Sequence, residues 1–246
     1  MSVDYNHSQN LHTLEGPKAA LPILFPEGLP KSVLDVGSGT GTWLKAAIEL
    51  GIQDVFGVDG VDIPPAKRHF PADKFLCTDL TKRWNLGRHF DAAICLEVAE
   101  HLDAVSAPVL IDALVDHSDL IFFSAACPGQ DGQHHVNCQW PAYWQRLFND
   151  RGYICEDSVR WQIWDDKRIE PWYRQNIFTA QRDAVNAGHE PRIKAVLHPE
   201  ILSCVLPENQ RFENHVRQIE SGRMGAVWYF KMPVLAIFQK LKRHLT

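Results

Sequence analysis

Glu97, Glu100 and His101 stand at spacing i, i+3, i+4 in the run Glu97-Val-Ala-Glu100-His101. Carried on a turn of helix, that spacing puts two carboxylates and an imidazole on one face. Such a set can hold a hard divalent cation, Mg²⁺ or Mn²⁺, with positions left open for substrate oxygens. It can equally move protons without a metal, or serve structure alone. Two more histidines, His134 and His135, lie in the glycine- and amide-rich stretch from Cys127 to Trp140. No cysteine falls at ligand spacing, which argues against Zn²⁺. Three further carboxylates, Asp35, Asp59 and Asp79, interrupt or close short apolar runs, and glycines follow the first of them at 37, 39 and 41.

The elements that must position these groups follow from the apolar pattern. Val33, Leu34 and Val36 read as a strand holding Asp35, and Thr42–Leu50 has helical spacing ending at Gly51. Strand, glycine loop and helix bring backbone N–H groups close to a polar ligand. The run Asp54–Asp59 is a second strand, and its terminal carboxylate comes about twenty residues beyond the loop, where an acid can reach both hydroxyls of a ribose. Phe75–Leu80 reads as the third strand. Phe90–Glu97 is the fourth, continuously apolar as a central parallel strand should be, and Asp119–Ala126 is the fifth. Helical segments alternate with them, including Val105–Val115 despite Pro108. The pattern predicts an α/β, doubly wound parallel sheet with ligands at the carboxyl ends of its strands. Tyr153–Val159 and Trp161–Trp164 read as further strand material, and Pro171–Ala180 as a closing strand.

The loop reads Asp-x-Gly-x-Gly-x-Gly, whereas a dinucleotide fingerprint would need its third glycine at Thr42. With the ordered acids that follow, it resembles the first motif of the class I S-adenosylmethionine-dependent methyltransferases, over roughly residues 31–180. The resemblance implies a Rossmann-like, mostly parallel seven-stranded sheet with an antiparallel closing strand, S-adenosyl-L-methionine as cofactor, and methyl transfer. It implies that Asp35, Gly37, Ser38, Gly39 and Gly41 surround the methionine end, Asp59 and Gly60 the ribose, and Asp79 and Leu80 the adenine. The Glu-x-x-Glu-His run is similar to one in small-RNA 2′-O-methyltransferases and ubiquinone-pathway O-methyltransferases. In the small-RNA enzymes a histidine from a later loop completes a metal site, a part that His134 or His135 could take. The stretch His135-Val-Asn137-Cys-Gln-Trp140-Pro resembles a loop of bacterial methyltransferases from glycan and secondary-metabolite pathways, which selects His135. The catalytic candidates are therefore Glu97, His101 and His135, and the metal candidates Glu97, Glu100, His101 and His135. Metal-assisted, metal-free and structural roles all stay open. The expected reaction is O-methylation of a hydroxyl on a sugar-containing or other small metabolite. The alternatives are 2′-O-methylation of RNA termini and a non-catalytic scaffold.

Composition bounds these readings. The 246 residues are 45% apolar, enough for one α/β domain with an addition. A formal charge of -5 argues against a general nucleic-acid binder. The six cysteines include no Cys-x-x-Cys pair and read as thiols of a reducing compartment. No signal peptide and no apolar run of transmembrane length is visible, so the expected location is cytoplasmic. Residues 1–30 read as a leader or lid segment in which His7 and His12 could reach substrate. Residues 31–180 read as the cofactor-binding domain, and 181–246 as a C-terminal helical extension. The run Val227–Arg243, apolar with a basic finish, suits a packed helix or a homo-oligomer contact better than a membrane surface. Of the aromatic residues, Trp140 beside His135 is the foremost candidate for acceptor contact. Arg160, Arg168 and Arg174 suit surface roles or an acidic ligand.

Overall fold

The computed structural model describes residue 5, residues 13–202 and, beyond them, 216–219, 221–223, 225–229, 231 and 233. The chain divides into two compact units, Met1–Ile201 and Leu202–Thr246. The first holds seven strands in one sheet: β1 (Ser32–Val36), β2 (Asp54–Asp59), β3 (Phe75–Cys77), β4 (Ala92–Leu96), β5 (Leu120–Ser124), β6 (Tyr153–Glu156) and β7 (Phe178–Arg182). Their spatial order is β3-β2-β1-β4-β5-β7-β6. Strands β1 to β5 pair in parallel, and β7 runs antiparallel to both β5 and β6. The strand order reverses between β1 and β4, which opens a crevice at their carboxyl ends.

Every residue of β1 and β4 is buried, and side-chain alternation sorts them onto two faces. Leu34, Val36, Ala93, Cys95, Ile121 and Phe123 join one apolar cluster with Leu110, Trp144 and Phe148. Those partners belong to α3 (Ala107–Val115) and α4 (Pro141–Asn149). Val33, Ala92, Ile94 and Phe122 join a second cluster with Leu21, Leu44 and Ile163. They come from α1 (Glu15–Leu24), α2 (Thr42–Leu50) and α5 (Ser158–Ile163). A near-continuous apolar run is thus required of the central strands because helices cover both faces.

The structure departs from the sequence reading in four places. The third strand stops at Cys77, so Asp79 lies in the turn beyond it. The segment around Trp161 is helix α5, since Val159, Arg160 and Ile163 recur at helical spacing and are all buried. Pro171–Asn176 is helix α6, with Pro171 pre-set for a first helical position, and the closing strand begins only at Phe178. Finally, Glu97–His101 is no α-helix: Glu97 takes a left-handed conformation (φ 56°) and Ala99–His101 form one 3₁₀ turn.

In the second unit residues 216–219 and 226–229 are helical, and the Tyr229 hydroxyl donates to the Ile219 carbonyl (2.8 Å). Most of the Val227–Arg243 run, with His7 and His12, lies outside the described residues. Among the described residues no helix is long and apolar enough to cross a membrane.

His117 shows how the first unit satisfies a buried polar side chain. Its Nδ1–H donates to the Ala113 carbonyl (2.6 Å), its Nε2 accepts from the Leu86 N–H (2.8 Å), and Trp84 stacks on the ring. His117→Ala strands the buried Ala113 carbonyl and the half-buried Leu86 N–H and should cost about 2–4 kcal/mol of unfolding free energy, read by urea denaturation.

Candidate active site

A cavity of about 630 Å³ opens at the carboxyl ends of β1, β2 and β4. Asp35, Gly37, Ser38, Gly39, Asp59, Gly60, Asp79, Leu80, Glu97, Glu100, His101 and His135 all line it. Gly41 of the glycine loop does not: it has φ 83° at the start of α2, where a Cβ would overlap the Phe70 ring. Gly37 is constrained in the same way, since its φ of 78° and the Val98 side chain exclude a larger residue.

One carboxylate organises the glycine loop. Asp59 Oδ2 accepts the Gly39 N–H (2.8 Å) and Oδ1 accepts the Val61 N–H (2.8 Å), so the ends of β1 and β2 are tied through it. Asp79 accepts from the backbone and hydroxyl of Thr81 (3.0 and 2.5 Å) and pairs with Lys82 (2.9 Å). The Thr81 and Lys82 hydrogen bonds hold its carboxyl down near 2. Asp35 is nearly fully buried, and its Oδ2 meets no hydrogen-bond donor among the described residues. Burial, reinforced by the Asp59 charge, pushes the Asp35 carboxyl up to about 8.

The other end of the cavity gathers the remaining candidates. Ligand atoms of Glu100, His101 and His135 lie within 4.8 Å of one another. His135 arrives there because the N–H groups of Val136 and Asn137 both donate to the Glu100 carbonyl (2.9 and 3.0 Å). The two imidazoles meet edge to face at 5.1 Å. Glu100 is fully buried, and among the described residues neither carboxylate oxygen meets a well-placed donor; nor does His101 Nδ1. Burial raises Glu100 well above the usual carboxylate range, and the neighbouring Glu97 raises it further. Burial and His135 hold His101 down at about 4, and burial lowers His135 too, so both imidazoles are neutral at pH 7. One carboxylate and two neutral imidazoles with lone pairs available form a donor set that fits a divalent cation.

Glu97 is not one of the three groups whose ligand atoms converge, but its carboxyl lies against that of Glu100. Its left-handed backbone turns the carboxylate toward Gln130 and Asn176. His134 does not line the cavity, and neither does Trp140, which is 38% exposed. Arg160 and Arg174 are buried rather than at the surface.

The comparisons with known proteins agree with this geometry. A family model for methyltransferase domains matches residues 10–174, well over half of the chain. The chain belongs to the class I S-adenosylmethionine-dependent methyltransferases. Over 99 residues this methyltransferase is 35% identical to the mitochondrial ubiquinone biosynthesis O-methyltransferase of Arabidopsis thaliana, a match covering 37% of this chain and 29% of that one. Among solved structures, the methyltransferase domain of bacterial CtHen1-C aligns with TM-score 0.51 at 16% identity, over 70% of this chain and 100% of that one. The sugar N-methyltransferase KedS8 from Streptoalloteichus sp ATCC 53650 aligns with TM-score 0.52 at 16% identity, over 69% and 87%. At these identities the structural likeness is one of fold.

Gln130, Gly132 and Trp43, which the sequence does not mark in this methyltransferase, also line the cavity, as do Trp172 and Tyr173 of the downstream aromatic residues, and Asn176 reaches Glu97. Gly132 carries a signal, being a glycine three residues before His135; its missing Cβ leaves the place that the His135 ring occupies. Gly132→Ala should therefore drive that ring out of the cluster. A crystal structure of the variant is expected to show His135 Nε2 withdrawn from Glu100 and His101, with the glycine loop at Asp59 unchanged.

Proposed function

We propose that this methyltransferase transfers a methyl group to a hydroxyl of a small, uncharged, sugar-like acceptor, with a divalent cation held by Glu100, His101 and His135. The observation that carries the reading is Glu100, fully buried without a well-placed donor among the described residues and set between the Glu97 carboxyl and two neutral imidazoles. A buried carboxylate is retained at that cost when something bound compensates it. Mg²⁺ or Mn²⁺ at this place would lower the pKa of an acceptor hydroxyl.

The chain's own residues supply the rest. In this reading Asp59 and Gly60 meet the ribose, Asp79 and Leu80 the adenine, and Asp35 with the Gly37–Gly39 loop the methionine end. The methyl donor is already activated as a sulfonium, so the protein needs to align the acceptor oxygen and remove its proton. Glu97 is set to orient the acceptor hydroxyl. His101 and His135, both neutral, can take its proton. Trp172 and Tyr173 line the same cavity and offer apolar faces to a sugar ring. Among the described residues that line the cavity there is no lysine or arginine, which supports an uncharged acceptor over an RNA terminus with its phosphates. KedS8 is by name a sugar N-methyltransferase and the Arabidopsis relative an O-methyltransferase; the sugar comes from the one and the oxygen from the other.

Two measurements test this. Mn²⁺ titrated calorimetrically into protein saturated with S-adenosylhomocysteine is expected to bind one site. His135→Ala and Glu100→Gln should each weaken binding by at least about tenfold. No uptake by the wild type would remove the cation from the reading and leave the histidines as plain bases. The second concerns Asp35, whose carboxyl near 8 is protonated at pH 7. S-adenosylmethionine brings an ammonium and a sulfonium, which draw the group to its ionised form. Binding at pH 7 should release about one proton, read from titrations in buffers of different ionisation enthalpy. Asp35→Asn should abolish that release.

A further inference from the structure

Three side-chain amides converge behind the reaction centre. Gln130 Nε2 donates to Glu97 Oε2 (2.7 Å), and Asn176 Nδ2 donates to Glu97 Oε1 (3.1 Å). Gln130 Oε1 in turn accepts from Asn176 Nδ2 (2.9 Å) and, more weakly, from Gln175 Nε2 (3.4 Å). The main-chain carbonyl of the same Gln130 is paired with His135 Nδ1 (3.0 Å). A carbonyl only accepts, so Nδ1 carries the proton and Nε2 keeps its lone pair for the cavity. Gln130 therefore joins both arms of the centre: its side chain holds Glu97 and its backbone sets the His135 tautomer.

Gln175 and Asn176 are almost fully buried on α6, 1% and 2% exposed. They are held from behind by a segment beyond the matched methyltransferase region. The His198 N–H donates to Gln175 Oε1 (2.7 Å), Arg174 pairs with Glu200 (2.6 Å), and Arg174 also donates to the Trp164 carbonyl (3.0 Å). Glu190 anchors the start of this segment by accepting from Gln145 (3.0 Å) and from the Cys155 N–H (3.1 Å). A buried polar network with its partners in place is rigid. Groups one bond removed from a reaction centre commonly change metal affinity or activity about 10- to 100-fold.

We propose that Gln175 and Asn176 are positioning residues of the reaction centre, and that the 190–201 segment is the brace that seats them. They fix Gln130, and through it both the Glu97 carboxylate and the His135 tautomer. The inference rests on the reading of Glu97 and His135 as reaction-centre groups. It gives the chain beyond β7 a part in the chemistry, although no residue there touches the cavity among the described residues.

The test uses full-length protein saturated with S-adenosylhomocysteine, as wild type, Asn176→Leu and Gln130→Met. Nitrogen NMR of ¹⁵N-histidine-labelled, metal-free protein reads the His135 tautomer, and calorimetry reads the Mn²⁺ and S-adenosylhomocysteine affinities. Wild type should show His135 protonated at Nδ1. Both variants should show a tautomer mixture and bind Mn²⁺ about tenfold more weakly, with S-adenosylhomocysteine affinity within about twofold of wild type. A merely structural role would lower thermal stability and leave the tautomer alone. An unchanged His135 tautomer in the variants, or a wild-type proton on Nε2, overturns the inference. If the wild type takes up no Mn²⁺, the cation falls from the proposed function while the tautomer still decides this point. Should Asn176→Leu fail to fold, Gln130→Met, at a half-exposed loop position, carries the test.

Discussion

Glu97 and Glu100 bury two carboxyl groups side by side at the end of β4, where ionising both would need either a cation or a dense set of donors. Glu97 has the donors: Gln130, Asn176 and a contact from Ser124 hold it. Among the described residues Glu100 has no cationic side chain against it and no donor in good hydrogen-bond geometry; the Glu97 carboxyl and two neutral imidazoles are its neighbours. Most of the surrounding structure can be traced to this asymmetry. The 3₁₀ turn at Ala99–His101, the left-handed Glu97 and the loop folded back onto the Glu100 carbonyl all bring polar groups to bear on one carboxyl and leave the other open.

The glycine-loop end of the cavity is built on a different principle. Two of its acids are satisfied close by, as when Asp59 ties Gly39 to Val61 and Asp79 closes a turn on Thr81. These are short-range devices inside a strand–loop–helix unit, and they hold whether or not the reaction centre is complete. The proposed reaction centre instead draws on β4, the loop after β5, α6 and the chain past β7, elements brought together only by the finished sheet. A left-handed non-glycine residue such as Glu97 persists only where its surroundings over-determine it. The amides of Gln130 and Asn176, and the Ser124 hydroxyl on the Glu97 N–H (3.1 Å), supply that determination.

Much of the fold, and most of the residues that line the glycine-loop end of the cavity, are legible in the amino-acid sequence. Apolar runs closed by Asp59 and the Asp35–Gly41 loop carry their meaning in local spacing, because backbone amides reach a ligand only from a tight turn between strand and helix. Glu100, His101 and His135 are legible as chemistry-bearing types. Their meeting within 4.8 Å needs the loop after β5 to dock on the 3₁₀ turn. The hold of Gln130 and Asn176 on Glu97 is not legible, since spacing alone suggests a helix with Glu97, Glu100 and His101 on one face. Nor is the identity of α6: Trp172, Tyr173 and Ile177 look like strand material, and Pro171 is as compatible with an edge strand as with a helix start. Sequence by itself determined which groups could do chemistry and the sheet that would carry them, because both follow from side-chain type and short-range periodicity. Tertiary structure alone decided which carboxyl is satisfied and which is left open, because that depends on amides 33 and 79 residues away along the chain.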